Sequence, residues 1–66
     1  MYQIKKVRRK RKMERKQLAY LMNMSVSALG RRERGEVPLL VDEARRFAEV
    51  LECNIEEILG GKWNEK

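Results

Sequence analysis

The side chains of this chain that can do chemistry are nearly all cations. Of 66 residues, 16 are Lys or Arg against 10 Asp or Glu, none is His and one is Cys, for a formal net charge of +6. Metal sites of the usual spacing, Cys/His nucleophiles and glycine-rich nucleotide cradles therefore lack their residues. The acids Glu56 and Glu57 are adjacent, which turns them to different sides of a helix and leaves them as surface charges rather than a general acid/base pair. What remains is the attraction of guanidinium and ammonium groups for anions. An enzyme is not expected, nor a metal, a cofactor or a small-molecule ligand.

The cations are unevenly placed. Residues 1–34 carry twelve basic and two acidic side chains, a balance of +10, whereas residues 35–66 carry four basic and eight acidic ones, a balance of −4. Lys5, Lys6, Arg8, Arg9, Lys10, Arg11, Lys12, Arg15 and Lys16 fall within twelve positions, a density that repels itself unless phosphates or a membrane surface neutralise it. A solvated, basic helix face is the bland alternative. Membrane binding ranks low, because Ile4 and Val7 are the only strongly apolar residues of this basic run before Met13 and form no bulky stripe. Tyr2, Tyr20, Phe47 and Trp63 are scattered, so no aromatic platform for single strands or RNA is visible. Duplex DNA is the favoured polyanion.

The elements that would position these cations read as five helices without a strand, an all-α fold. They cover about residues 2–12, 15–22, 26–34, 42–51 and 55–60. Between Arg15 and Gly35 the runs RKQLAYLM and VSALGRRERG flank the joint NMS, which is the layout of a helix-turn-helix. Asn23 accepts a left-handed conformation where the chain reverses, and Ser25 is an N-cap residue. Leu18, Ala19, Met22, Met24 and Leu29 fall where two such helices face one core, and Ala44, Phe47, Ala48 and Leu51 form a core stripe on the fourth helix. Gly35 closes the third helix, Pro38 forbids its continuation, and Asp42 and Glu43 suit the positive end of the fourth. Asn54 with Glu57 three residues on spells a capping box for the fifth.

Sixty-six residues make one domain, 1–66, with the helix-turn-helix at about 15–34, a short tail at 62–66 and a thin core that gains from a partner subunit. No room remains for an effector-binding domain, so regulation is expected to act through this domain or a partner. Cys53 cannot form an internal disulfide and reads as a small core residue. With no N-terminal apolar run resembling a signal peptide or membrane span, a reducing cytoplasm fits best.

From Ile4 to Leu59 the sequence resembles the Cro/repressor-type helix-turn-helix proteins, the XRE family. The resemblance rests on Ile4, Val7 and Arg8, on Leu18-Ala19, on Met24-Ser25 and Leu29, on the run Arg31-Arg32-Glu33-Arg34-Gly35, and on Phe47-Ala48, Leu51 and Ile55-Glu56-Glu57-Ile58, all in register. It implies a compact five-helix lambda-repressor-like DNA-binding domain. In such a motif the start of the second helix and a residue one turn on reach base edges, which assigns Val26, Ser27, Ala28 and Arg31. Arg31 suits a bidentate contact to guanine, Val26 a thymine methyl, Ser27 a base or a phosphate. The alternative for Val26 and Ala28 is ordinary helix surface, and for Arg31 a phosphate contact. Arg15 stands where relatives often have a phosphate-binding glutamine, and Lys16, Arg34, Arg9 and Lys10 are further phosphate candidates. Arg8 and Glu33 match a pair that commonly joins the first and third helices, a structural role favoured over a DNA contact.

Departures from the family pattern are Gly30 inside the recognition helix, Arg32 where relatives are apolar, and Lys12 and Glu52 where they have turn glycines. Gly30 either permits close approach to the DNA backbone or loosens the helix. Tyr20, Leu21, Leu39, Leu40, Leu59 and Trp63 are apolar residues that a core this small does not clearly reach, to be covered by a partner or by loop packing. By resemblance the dimer contact falls on Ile58, Leu59 and Trp63. The expected function is a dimeric, sequence-specific regulator of phage, mobile-element or restriction-controller type on a double-stranded DNA operator. The alternative is an antitoxin-like module that sequesters a partner protein, with DNA binding secondary.

Overall fold

The computed structural model describes residues 2–60, which hold five helices: α1 (Ile4–Lys10), α2 (Arg15–Leu21), α3 (Val26–Arg34), α4 (Val41–Leu51) and α5 (Ile55–Ile58). Among the described residues there is no strand. Helix α1 is shorter at both ends than its sequence pattern suggests. Its start is fixed by the Gln3 amide, which donates to the Ile58 carbonyl at 2.8 Å and ties the entry of the chain to α5. Its end follows from Lys12, which takes the left-handed conformation at φ 55 and so breaks the helical ladder. Likewise α5 stops at Ile58, with Gly60 at φ 89, rather than running to residue 60.

The α2–α3 joint is built from its own residues. Asn23 adopts φ 60, the Met24 amide returns to the Ala19 carbonyl at 3.0 Å, and Ser25 caps α3 by accepting the Ala28 amide on Oγ at 3.0 Å. Gly35, at φ 78, ends α3, and the Glu36 amide closes onto the Arg31 carbonyl at 2.9 Å. Helix α4 begins one residue early, at Val41, with Asp42 and Glu43 in its first turn. The capping box expected at α5 does not form: the Asn54 side chain makes no cap hydrogen bond, and the Glu57 amide is taken by the Asn54 carbonyl instead.

One core joins all five helices. Ile4 and Val7 of α1, Leu18, Ala19 and Met22 from α2 and its end, Leu29 of α3, Ala44, Phe47, Ala48 and Leu51 of α4 and Ile58 of α5 are all buried. Phe47 sits fully enclosed among them, so Phe47→Ala would cost about 3–5 kcal/mol. Met24, Leu39, Cys53 and Leu59 pack against this core while keeping part of their surface outside. Cys53 is half-buried, and its burial, reinforced by the nearby Glu57 charge, pushes the thiol pKa up. The group is thus a thiol at neutral pH, a poor nucleophile.

Candidate nucleic-acid interface

Two arginines converge on one carboxylate where α1, α2 and α3 meet. Arg8 donates from Nε to Oε2 of Glu33 at 2.7 Å and from Nη1 to the Met13 carbonyl at 2.9 Å, while Arg15 donates from Nε to Oε1 of Glu33 at 3.3 Å. Glu33 has only 2% of its side chain exposed and Arg8 9%, against 42% for Arg15. Arg8 is thus part of the frame, holding α3 against α1. Arg15 uses the same carboxylate as an anchor and keeps nearly half of its side chain in solvent.

Beyond Arg15 lies a polar cleft of about 240 Å³, lined by Arg15 of α2 and by Val26, Ser27, Gly30, Arg31 and Arg34 of α3. The spacing on α3 brings this about: residues 26, 30 and 34, and beside them 27, 31 and 34, recur at steps of three or four and share a face. Leu29 turns the other way into the core. Val26 and Arg31 are exposed, as is Ser27, and Ala28 is half-buried at the edge of the face. Arg34 donates from Nε to Glu36 Oε2 at 2.7 Å. That hydrogen bond raises the Arg34 pKa and lowers that of Glu36.

Lys16, also a sequence candidate, is exposed on α2 but does not line this cleft. Arg9 and Lys10 are exposed on α1. With Lys5 and Lys6 they border a shallow groove that reaches Glu33, whereas Lys6 and Lys10 also border a second one beside Glu57 and Gly60 of the α5 region. The basic run of α1 therefore has two edges, one continuous with the α2–α3 region through Glu33 and one turned toward acidic α5.

Sequence reasoning left Arg32 without a partner, and here the structure supplies one. Its guanidinium straddles Glu43 of α4, with Nε at 3.2 Å from both carboxylate oxygens and Nη2 at 2.9 Å from Oε2, while Nη1 donates to the Ala28 carbonyl at 3.0 Å. The Arg32 hydrogen bond holds the Glu43 carboxyl below the usual glutamate range. A polar clasp thus joins α3 to α4, and only the α3–α4 crossing could have revealed it. The expected interface residues divide differently. Ile58 is fully buried in the core and has no surface to offer a partner, a correction that stems from its anchoring of α5. Leu59 is half-buried, Leu40 is 63% exposed, and Trp63 lies outside the described residues, as does the tail at 62–66.

No helix among the described residues is long and apolar enough to cross a membrane, and among them no group of three or more His, Cys, Asp or Glu is placed to hold a metal ion. The five-helix arrangement, with α2 and α3 joined by a tight turn and α3 carrying an exposed, cationic face, defines a lambda-repressor-like DNA-binding domain. The helix-turn-helix family model matches residues 4–58, and the chain belongs to that family, as a DNA-binding domain of the Cro/XRE type associated with transcription regulation. No curated protein matches the chain.

Proposed function

We propose that this domain is a sequence-specific regulator that binds a duplex operator as a homodimer, most simply as a repressor of phage, mobile-element or restriction-controller type acting in the cytoplasm. The observation that carries the reading is the shared face of α3: exposed Val26, Ser27 and Arg31 stand beside Arg15 and Arg34 in one cleft. Side chains suited to base edges are thus flanked by side chains suited to phosphates. Arg31 reads a guanine, Val26 meets a thymine methyl and Ser27 takes a base or phosphate, with Ala28 at the margin. Arg15 and Arg34 grip the backbone close by, and Lys16, Arg9 and Lys10 add attraction at longer range.

Selection of bound sequences from a random duplex library tests this reading. The expected product is a pseudo-palindrome whose half-site centres lie about 10 to 10.5 base pairs apart. Arg31→Ala should then relax the preference at one base pair per half-site at a cost of about 1–3 kcal/mol. An unselected pool after repeated rounds would remove sequence-specific DNA binding, and equal loss on every sequence would make Arg31 a phosphate clamp. A second reading, sequestration of another protein, draws on exposed Leu40 and Val41, at 63% and 51% exposure. Co-purification of a second, different chain bound through those two residues would favour it.

A further inference from the structure

Gly30 sits in the middle of α3 with a backbone that needs no glycine, since it is not among the positive-φ residues of the chain. Alanine there would favour the helix, so the free domain bears a cost without a local reason for it. What the missing side chain leaves open is the floor of the α2–α3 cleft. A Cβ built on Gly30 would lie 3.2 Å from Nη1 of Arg34, tighter than ordinary van der Waals contact, and its next neighbour would be Cζ of the same side chain at 3.9 Å. Arg34 therefore lies back along α3 by one turn, its guanidinium over bare backbone, and lines the cleft together with Arg15.

The geometry points to Gly30 as a positioning residue: it lets the Arg34 guanidinium lie against α3 in the cleft it shares with Arg15, so that the two form a seat for one phosphodiester of the DNA backbone. This rests on the DNA-binding reading above and adds the part played by a residue that itself carries no functional group. Each arginine already holds a carboxylate through Nε, Arg15 that of Glu33 and Arg34 that of Glu36. The buried Glu33 fixes the Nε edge of Arg15 and leaves its Nη edge for the phosphate, the arrangement in which arginine binds a phosphate through two donors, whereas Arg34 is held by lying over Gly30 and only loosely by Glu36. Glu36 is exposed and yields as the phosphate enters; Glu33 is buried and stays. Arg31, on the same face, remains directed to the bases.

Gly30→Ala separates the role of this glycine in the complex from its effect on the fold. Thermal unfolding of the variant should shift upward by about 4–8 °C, the gain of a better helix former in a domain of this size. Duplex affinity at 0.1 M salt should instead fall about five- to tenfold, with the salt slope reduced by about one per subunit. Arg34→Gln should show the same two binding effects without the rise in melting temperature. Adding Gly30→Ala to Arg34→Gln should change affinity less than about twofold, because the glycine acts through the arginine. An equal loss from Gly30→Ala in both backgrounds would overturn the positioning role, and so would unchanged affinity in the single variant. Failure of the unmodified domain to bind duplex at all would overturn both this inference and the DNA reading.

Discussion

Arg8 and Arg15 share Glu33 yet do different work, and their exposures say which. Removing Arg8 leaves the Glu33 carboxylate, with 2% of its side chain exposed, only its longer bond to half-exposed Arg15 and frees the Met13 carbonyl, so Arg8→Met should lower unfolding free energy by about 3 kcal/mol in urea titration. Arg15 is 42% exposed and its loss leaves Glu33 paired with Arg8, so Arg15→Ala should cost less than about 1 kcal/mol of stability. On DNA the order reverses: Arg15→Ala should weaken all sequences alike and lower the salt slope by about one per subunit. A stability loss for Arg15→Ala as large as that for Arg8→Met would mean that both arginines are structural. The Arg8–Glu33 pairing could be anticipated from the register of the sequence, because both positions belong to a known motif. Arg15 as a third member could not, since it depends on how α2 approaches α3.

At the scale of helices and turns, two positions carry strain that the sequence itself announces. Lys12 and Glu52 both have φ 55, where a side chain costs about 1–2 kcal/mol, and both stand just past the ends of helices, α1 and α4. Glu52→Gly and Lys12→Gly should each stabilise the domain by about 0.5–1 kcal/mol after the greater freedom of glycine in the unfolded chain is subtracted. Because Glu52 contributes only its carbonyl to Arg11, its side chain is expendable. A fall in melting temperature for Glu52→Gly would show that the side chain does more than the structure assigns to it. The Arg32–Glu43 clasp gives α3–α4 packing a pH dependence. Glu43 titrates below its ordinary value of 4.5 in the fold, so its contribution is complete above that value and disappears as pH falls through the depressed one. Glu43→Gln should be less stable by about 1 kcal/mol at pH 7, and the two unfolding curves should converge at pH values below the depressed Glu43 pKa. Periodicity is enough to place the five helices, and Asn23 and Ser25 fix the joint. The clasp is not readable, because complementary charges eleven residues apart become partners only once the crossing of two helices is known. The unformed cap at Asn54 shows the converse, a local pattern overridden by a short helix tied down elsewhere through Ile58.

The chain is polar in the electrical sense, its charge divided between its two halves. The +10 balance of residues 1–34 belongs to the part of the chain that holds α1, α2 and α3, and the −4 balance of residues 35–66 to the part that holds α4 and α5. DNA should therefore meet the α2–α3 face, displacing condensed cations as each phosphate is neutralised. With about four to six phosphates per subunit, a dimer should show a slope of log affinity against log salt on the order of −7 to −11. Charge reversal away from that face should matter little at about 0.15 M salt, where exposed charges more than about 8 Å apart are largely screened. Glu49 and Glu56 are exposed on α4 and α5, so the double variant Glu49→Lys, Glu56→Lys should change operator affinity less than about threefold and leave the slope unchanged. The reversal in the other sense, Arg15→Glu with Arg31→Glu, should abolish measurable binding although it alters the same number of charges. Filter binding or fluorescence anisotropy at several salt concentrations measures the unmodified domain and both variants. If the acidic-side variant gained as much affinity and slope as the α2–α3 variant lost, net charge alone would govern the interaction. The cleft around Gly30 would then have no special claim on the DNA backbone.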